Sequence, residues 1–355
     1  MKFIFWQNIV SPHMSFFLRN LSEKFEVILV VDRIMSDDRL KQGWEVPNLG
    51  NNVNIIVIKD LTDVLDLINI KNENQHFFSG FNLSPLINKA FRLIIKKKKV
   101  NFICESGIEL GLLKYPRLFK YRYLAFRYNK CINNIFAMGN LGVNWYKKTG
   151  FDPKKIHNFQ YTIELPEEMD FWTRESNKND DRFRFTFIGQ LIARKGIDNL
   201  IRGLSKVNNR NWHLSIIGDG EMKSEMFDMI SILKLNDNIT FLGAKSNQDA
   251  MVFLRQNTDY LILSSRFDGW GAVVNEAFAR GVKVITNEKC GASSMIKDDF
   301  WGVKYKEGNE QSLVNLLDGI LKENKKLTIE ERIKLSQLYK IENQEKVLTN
   351  FIDKF

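Results

Sequence analysis

Two acidic side chains flank the most informative loop in the sequence. Asp268 precedes the run Gly269-Trp270-Gly271-Ala272, and Glu276 follows within the first two turns of a predicted helix. This spacing can place two carboxylates around one pocket. Carboxylates suit the paired hydroxyls of a sugar, and free amides at a helix start favour a diphosphate. The pattern therefore indicates a nucleotide-sugar ligand, and the alternative is an N-cap aspartate followed by a surface glutamate.

A second loop supplies positive charge. Gly189 and Gly196 bracket a strand-to-helix connection that contains Gln190, Arg194 and Lys195. Glycines let the backbone approach a ligand closely, and the cations lie beside a helix N-terminus whose amides favour anions. The loop has the outline of a phosphate site, although an ordinary turn with solvated cations would read the same.

A third loop begins with Gly218-Asp219-Gly220, directly after a predicted strand. Many strand-to-helix turns need a glycine there for backbone reasons alone, so a purely structural role is the alternative. All three loops follow predicted parallel strands within one half of the chain. Ligands of open α/β sheets bind at the carboxyl ends of such strands.

The elements that must position these loops alternate along nearly the whole chain. Predicted strands are Lys2–Trp6, Glu26–Val31, Asn54–Ile58, Val100–Cys104, Asn134–Met138, Arg184–Ile188, His213–Ile217, Ile239–Leu242, Tyr260–Leu263 and Lys283–Thr286. Predicted helices are Ser15–Lys24, Gly196–Lys206, Glu221–Leu235, Asn247–Gln256 and Ala272–Arg280. Continuous apolar strands between helices are typical of buried, doubly wound parallel sheets.

Strand–helix alternation weakens once, over residues 165–182, which we predict to be an interdomain linker. The predicted domains are residues 1–164 and 183–330. Residues 331–355 form part of a long charged helical pattern, Thr328–Phe355, which could pack on its own domain or cross back to the first.

The block from Phe185 to Lys297 resembles the donor-binding domain of the retaining, GT4-like (group 1) glycosyltransferases. The resemblance rests on FIGQLIARKG, IIGDGE, FLG at 241–243 and the pair Asp268-x7-Glu276. It implies the GT-B fold, in which two Rossmann-like domains face a cleft.

The resemblance also implies roles for individual residues. Lys195 would neutralise the donor diphosphate, Glu276 would hold the ribose hydroxyls, and Asp268 would bind the donor sugar. The remaining donor-binding positions would be Gly189, Gln190, Arg194, Gly218, Leu242, Gly243, Gly269, Trp270, Gly271 and Ala272.

Two positions depart from the family pattern. Gln190 replaces the usual arginine, and Asp268 is one methylene shorter than the usual glutamate. The first removes a phosphate cation unless Arg194 compensates, and the second bears on sugar identity. The implied mechanism uses cations and helix dipoles and needs no metal or other cofactor. The acidic pairs Asp37-Asp38, Asp180-Asp181 and Asp298-Asp299 are adjacent, unlike a metal-binding DxD, and are predicted to be solvated loops.

The first half offers candidates for the acceptor side. His13, in the first strand-to-helix loop, could touch an acceptor or be a surface loop residue. Glu105 follows a predicted strand at its carboxyl end, where a helix cap is the alternative. His76 lies in a strand or at its end, which favours core packing.

Basic residues are concentrated in the same half. The chain carries 52 Lys+Arg against 42 Asp+Glu, a formal net charge of +10, and includes the runs Lys96–Lys99 and Lys114–Lys130. The second run interleaves cations with aromatic residues, as in a helix on an anionic membrane surface. Single-stranded nucleic acid binding and a solvated face over buried aromatics are the alternatives. We expect a membrane partner and no nucleic acid.

Composition sets the outer limits. The 355 residues are 44% hydrophobic and 26% charged, which excludes disordered and fibrous classes. Three scattered cysteines offer neither a disulfide framework nor a metal motif, and no apolar stretch is long enough to span a bilayer. We expect a cytoplasmic transferase, peripheral to the inner face of the membrane, that moves a sugar from a UDP-sugar or GDP-mannose to a glycan or lipid-linked acceptor. The alternative is a non-catalytic basic module.

Overall fold

A computed structural model describes residues 1–35, 46–68, 74–165 and 181–355. The chain divides into two compact units. The first comprises Met1–Ile163 together with Asn343–Phe355, and the second comprises Glu164–Glu342.

The first unit is built on a seven-stranded parallel sheet within the described residues. Its strands are β1 (Lys2–Ile9), β2 (Glu26–Arg33), β3 (Val53–Val57), β4 (Gln75–Phe78), β5 (Val100–Cys104), β6 (Ile132–Met138) and β7 (Ile156–Phe159). Their order across the sheet is β3-β2-β1-β4-β5-β6-β7. The order reverses direction next to β1, so the carboxyl ends of β1 and β4 flank the topological switch where such sheets bind ligands.

Helices connect these strands. The described ones are α1 (Pro12–Ser22), α2 (Leu65–Ile68), α3 (Pro85–Ile94), α4 (Lys114–Tyr128) and α5 (Gly139–Lys148). Every residue of β5 is buried, which matches an apolar strand covered on both faces. Helix α4 differs from its neighbours because Ala125 is its only buried residue.

The second unit has a six-stranded parallel sheet within the described residues. Its strands are β8 (Phe183–Ile188), β9 (Trp212–Ile217), β10 (Ile239–Gly243), β11 (Tyr260–Ile262), β12 (Lys283–Asn287) and β13 (Gly302–Tyr305). Their order is β10-β9-β8-β11-β12-β13, so the switch lies between β8 and β11. The three loops selected from the sequence follow β8, β9 and β11, and the first and third therefore flank this switch.

Helices of the second unit are α6 (Ile197–Ser205), α7 (Lys223–Ile232), α8 (Asn247–Asn257), α9 (Val273–Phe278), α10 (Glu310–Glu323) and α11 (Ile329–Tyr339). A π-helical turn, Lys340–Glu345, leads from α11 into α12 (Lys346–Ile352). The single long helix predicted over Thr328–Phe355 is therefore interrupted.

The predicted domain end at residue 330 needs correction, because α11 belongs to the second unit. The Arg332 guanidinium donates to the carbonyl oxygens of Gly281 and Arg255, and the Ser336 hydroxyl donates to the Ala279 carbonyl. These bonds satisfy carbonyls near the C-terminal ends of α8 and α9 and anchor α11 to both helices. The C-terminal part of the chain returns to the first unit only at Asn343.

The residues from Asn343 complete the core of the first unit. The Gln160 side chain donates to Asn343 Oδ1 at 2.9 Å, and the Gln344 side chain donates to the Ile163 carbonyl. Phe351 is 1% exposed and packs against a cluster of rings: Phe3, Phe17, Phe77, Phe136 and Phe159. The predicted linker, 165–182, lies almost wholly outside the described residues.

Candidate functional site

The loop after β8 is shaped by one tight turn and one glycine. Ala193–Lys195 forms a 3-10 turn, and Gly196 follows with φ of 65°, in the left-handed region that favours glycine. A Cβ at Gly196 would overlap the carbonyl oxygen of Ser264. This loop and the loop after β11 therefore touch backbone to backbone at Gly196.

Three side-chain and backbone contacts fix the two loops together. The Arg266 amide donates to the Arg194 carbonyl at 2.9 Å, and the Ser264 hydroxyl donates to the Lys195 carbonyl at 3.0 Å. The Arg266 guanidinium reaches Asp198 Oδ2 at 2.6 Å. Burial opposes ionisation of Asp198, but Arg266 and Arg202 outweigh it and lower the pKa of this carboxyl. Asp198, Ser264 and Arg266 were not selected from the sequence, because these three residues lie outside the family pattern.

Lys195 and Asp268 meet directly. Lys195 Nζ lies 2.6 Å from Asp268 Oδ2, and the two side chains are 17% and 13% exposed. Arg194 Nη1 lies 3.6 Å from the same oxygen and donates to the Phe267 carbonyl at 3.2 Å. Two cations thus converge beside the N-terminus of α6, where backbone amides also favour an anion.

The stretch after Asp268 is held rigidly. The Asp268 amide donates to the Lys289 carbonyl, and the Gly291 amide donates to the Asp268 carbonyl, both at 3.0 Å. Trp270 is 1% exposed, and its indole donates to Asn275 Oδ1 at 2.6 Å. The indole therefore anchors the loop in the protein interior. Any contact of Trp270 with the sugar donor would be made by its backbone.

Glu276 lies on α9 beside the start of α8. The Asn247 side-chain amide donates to Glu276 Oε1 at 3.4 Å. Burial raises the pKa of Glu276, while the charge of Arg280 works in the opposite direction. Within the part of the chain described, no hydrogen bond or ion pair joins Glu276 to Lys195 or Asp268. Of the three predicted catalytic residues, Lys195 and Asp268 are therefore in direct contact. Glu276 lies apart from them, on the helix that follows the Asp268 loop.

The predicted glycines come together across neighbouring strands. The Gly189 amide donates to the Ile217 carbonyl at 3.0 Å, and the Gly218 amide donates to the Gly243 carbonyl at 2.9 Å. Gly218 has φ of 144°, and a Cβ there would overlap the Gly189 carbonyl oxygen. Glycine is thus required by the fold at this position, as the structural alternative proposed. Gln190 is exposed, and Leu242 is partly exposed.

In the first unit, one tyrosine links the two acceptor-side candidates. The Tyr161 hydroxyl donates to Glu105 Oε1 at 2.8 Å, and the His13 ring lies 5.2 Å from the Tyr161 ring, centroid to centroid. Tyr161 was not selected from the sequence. Its position two residues after β7, at the carboxyl edge of the sheet, was the available signal.

His76 is a core residue. It is 1% exposed, its Nδ1 accepts a hydrogen bond from the Trp6 indole at 3.2 Å, and burial lowers its pKa to about 4. It therefore stays neutral, as the core-packing alternative expected. Among the described residues, no group of three or more His, Cys, Asp or Glu side chains could hold a metal ion. Asp37-Asp38 lie outside the described residues.

Comparison with known proteins shows which family the second unit resembles. Residues 168–336 match the family described as Glycosyl transferases group 1. A segment of 168 residues is 30% identical to the uncharacterised glycosyltransferase MJ1607 of Methanocaldococcus jannaschii, and it covers 47% of this chain and 43% of that protein. An uncharacterised 41.2 kDa protein from the cps region of Klebsiella pneumoniae is 25% identical over 74% of this chain and 72% of its own length.

A third relative has a specific printed activity. It is the N-acetylgalactosamine-N,N'-diacetylbacillosaminyl-diphospho-undecaprenol 4-alpha-N-acetylgalactosaminyltransferase of Campylobacter jejuni, 27% identical over 49% of this chain and 46% of that enzyme. The matches thus span less than half of the Methanocaldococcus and Campylobacter proteins. Among solved structures, Anabaena Alr3699/HepE in complex with UDP has a TM-score of 0.71 at 14% identity, covering 100% of this chain and 99% of that one.

The fold follows from these comparisons. The two Rossmann-like parallel sheets are those of the GT-B fold. Residues 168–336, just under half of the chain, are similar to the glycosyl transferases group 1 family.

Proposed function

We propose that this protein transfers a sugar from a nucleotide-sugar, first a UDP-sugar and second GDP-mannose, to a glycan or lipid-linked acceptor with retention of configuration. The observation that carries the proposal is the contact between the β8 and β11 loops. There Asp268 Oδ2 lies 2.6 Å from Lys195 Nζ and 3.6 Å from Arg194 Nη1. A cation-lined loop at a helix N-terminus suits a diphosphate, and the adjacent carboxylate suits sugar hydroxyls.

Each residue then has a chemical role. Lys195 and the first amides of α6 stabilise the charge that develops on the leaving nucleoside diphosphate. Arg194 supplies the second cation, since Gln190 carries none. Asp268 exchanges part of its contact with Lys195 for hydroxyls of the donor sugar, and Glu276 accepts from the ribose hydroxyls.

The bond changes balance without a metal ion. The bond from the anomeric carbon to the phosphate oxygen breaks, and its electron pair stays with the phosphate. The acceptor oxygen bonds to the anomeric carbon from the same face, and its proton passes to the departing phosphate. The tyrosine-linked pair His13 and Glu105 would contact the acceptor.

The printed names of relatives support the proposed donor and the proposed acceptor. The Campylobacter enzyme acts on a diphospho-undecaprenol-linked sugar, and the Klebsiella protein is encoded in a cps region. HepE was solved in complex with UDP and also with UDP-glucose. These relatives support the proposal that the protein acts in bacterial cell-surface polysaccharide biosynthesis.

A donor screen tests the proposal. Incubation with UDP-glucose, UDP-N-acetylgalactosamine or GDP-mannose should release nucleoside diphosphate with one preferred donor, and NMR of the product should show the donor's anomeric configuration. Glu276→Gln should weaken nucleotide binding at least tenfold, whereas Glu225→Gln, an exposed carboxylate on α7, should leave it unchanged. No nucleotide binding by the wild type, or equal binding by Glu276→Gln, would leave the non-catalytic module as the better description.

The same residues predict a pH dependence of nucleotide binding. Because burial raises the pKa of Glu276, its carboxylate is protonated at a higher pH than an exposed glutamate. Affinity should therefore be full above this pKa and fall as the pH drops through it, and Glu276→Gln should lack that acid limb.

We also propose a partner for the basic surface of the first unit, an anionic membrane on the cytoplasmic side. None of the helices in the described part of the chain has the length and apolar composition to cross a bilayer. Helix α4 nevertheless exposes Phe119 by 66% and Phe126 by 89% among its cations. Exposed aromatics between lysines and arginines suit the headgroup region.

Vesicle sedimentation tests this partner. Binding to phosphatidylglycerol-containing vesicles should exceed binding to pure phosphatidylcholine and fall with added NaCl. Replacing both Phe119 and Phe126 by alanine should reduce it, whereas equal binding to neutral vesicles would contradict the assignment.

A further inference from the structure

An open cavity of about 530 Å³ lies in the first unit, between the loop after β5 and the start of α4. Its lining includes Ser106, Gly107, Ile108, Leu113, Arg117 and Lys120. The volume is within the range of small-molecule sites. Its lining residues belong to the first unit, whereas the donor loops belong to the second.

The cavity contains hydrogen-bonding groups whose capacity is not used up. Ser106 Oγ is buried and has no hydrogen-bond partner among the described residues. Such a group costs free energy unless a ligand or water satisfies it. Arg117 donates to the Ile108 carbonyl, which ties α4 to the loop after β5 and leaves most of the guanidinium donors for other contacts.

Positive charge in the cavity is uncompensated. Arg117 and Lys120 are three residues apart, so they project from one face of α4. In the part of the chain that the structure describes, neither forms an ion pair with a carboxylate. Two cations with spare donors beside a buried hydroxyl make a site for an anion with several oxygens, such as a diphosphate.

The edge of the cavity is apolar and exposed. Leu113 is 69% exposed, Ile108 is 40% exposed, and neighbouring Leu112 is 84% exposed. A monomeric protein seldom leaves such side chains together in water without a binding role. The lining therefore combines two cations with exposed apolar side chains, and a matching ligand has an anionic head next to a hydrocarbon chain.

We propose that this cavity binds the diphosphate of a polyisoprenoid-linked acceptor, with Arg117 and Lys120 on the phosphates and Leu112 and Leu113 on the first isoprene units. The inference rests on the proposed function, because it names the class of acceptor for the same transfer.

Farnesyl diphosphate is the probe. Its binding to the full chain should be measured by calorimetry without a donor, beside inorganic pyrophosphate and farnesol. We expect farnesyl diphosphate to bind at least tenfold more tightly than either, because only it offers both the charge and the chain. The double variant R117Q/K120Q should lose at least tenfold in affinity, and K120Q alone should lose severalfold.

The control is R122Q/R127Q, which removes the same charge from α4 outside the cavity and should retain binding. Equal loss in the control, or pyrophosphate binding as tightly as farnesyl diphosphate, overturns the proposal. So does farnesol binding as tightly as farnesyl diphosphate. Nucleotide affinity measured on the same samples separates the two claims, since intact nucleotide binding with no farnesyl diphosphate binding removes this inference alone.

Discussion

Lys195 and Asp268 form a salt bridge at 2.6 Å, and their side chains are 17% and 13% exposed. A substitution of either residue therefore leaves the other without its ionic partner. Lys195→Gln should lower kcat by about 10²–10³-fold, the usual effect of removing one group that stabilises a developing anion. Lys206→Gln removes an exposed lysine that pairs with Glu310 and should leave kcat unchanged. Steady-state release of nucleoside diphosphate measures both, and a Lys195→Gln enzyme of normal kcat would contradict the assigned role.

His76 gives a prediction for stability at the same scale. Its pKa is about 4 in the fold and about 6.5 when unfolded, so between these values only the unfolded chain takes up the proton. The free energy of unfolding should therefore fall by up to about 3 kcal/mol as pH drops from 6.5 to 4. Urea titrations at several pH values across this range should show that the free energy of unfolding changes less steeply with pH in His76→Gln than in the wild type. An identical slope in both proteins would be evidence against a neutral buried His76.

At the scale of elements, the β8 loop depends on backbone that only glycine adopts there. Gly196→Ala adds a methyl group at φ of 65° against the Ser264 carbonyl, so it should destabilise the second unit by about 1–3 kcal/mol. Gly319→Ala is the matched control, because this glycine lies inside α10 with nothing near its Cβ. The control should stabilise by about 0.5–1 kcal/mol. Thermal unfolding with and without nucleotide measures both changes, and equal Tm values would contradict the packing argument.

Elements were predictable where an apolar run was continuous. Val100–Cys104 was predicted with its observed bounds, and the strands that carry the donor loops were placed within one residue. The missed strands β7 and β13 are four residues long and include His157 and Lys304, so their apolar signal is too short.

The candidate site divides in the same way. Lys195 and Asp268 could be selected because their spacing from glycines is a local property of the sequence. The Arg266–Asp198 scaffold and Tyr161 could not, since their partners are 68 and 56 residues away and meet only in the folded chain. Spacing in the sequence was therefore enough to select the candidate ligand-binding residues. The residues that hold them in position were seen only in the folded structure.

For the whole molecule, the main finding is that the first unit is discontinuous. Phe351→Ala should destabilise that unit by about 3–5 kcal/mol, because the ring is 1% exposed among six others. Hydrogen exchange should quicken in β1 and β6 while β8 and β9 keep their protection. Phe126→Ala, at an 89% exposed ring, should change neither set. Equal acceleration in both sheets would contradict the assignment of Phe351 to the first unit.

The discontinuity has a consequence for biosynthesis. On the ribosome, residues 1–163 emerge first, yet the rings they must pack against arrive with residues 343–355, after the entire second unit. The earlier-made sheet therefore waits with an open hydrophobic face while the later-made one can close on its own. Nascent chains halted just before Asn343 should bind chaperones through the N-terminal half.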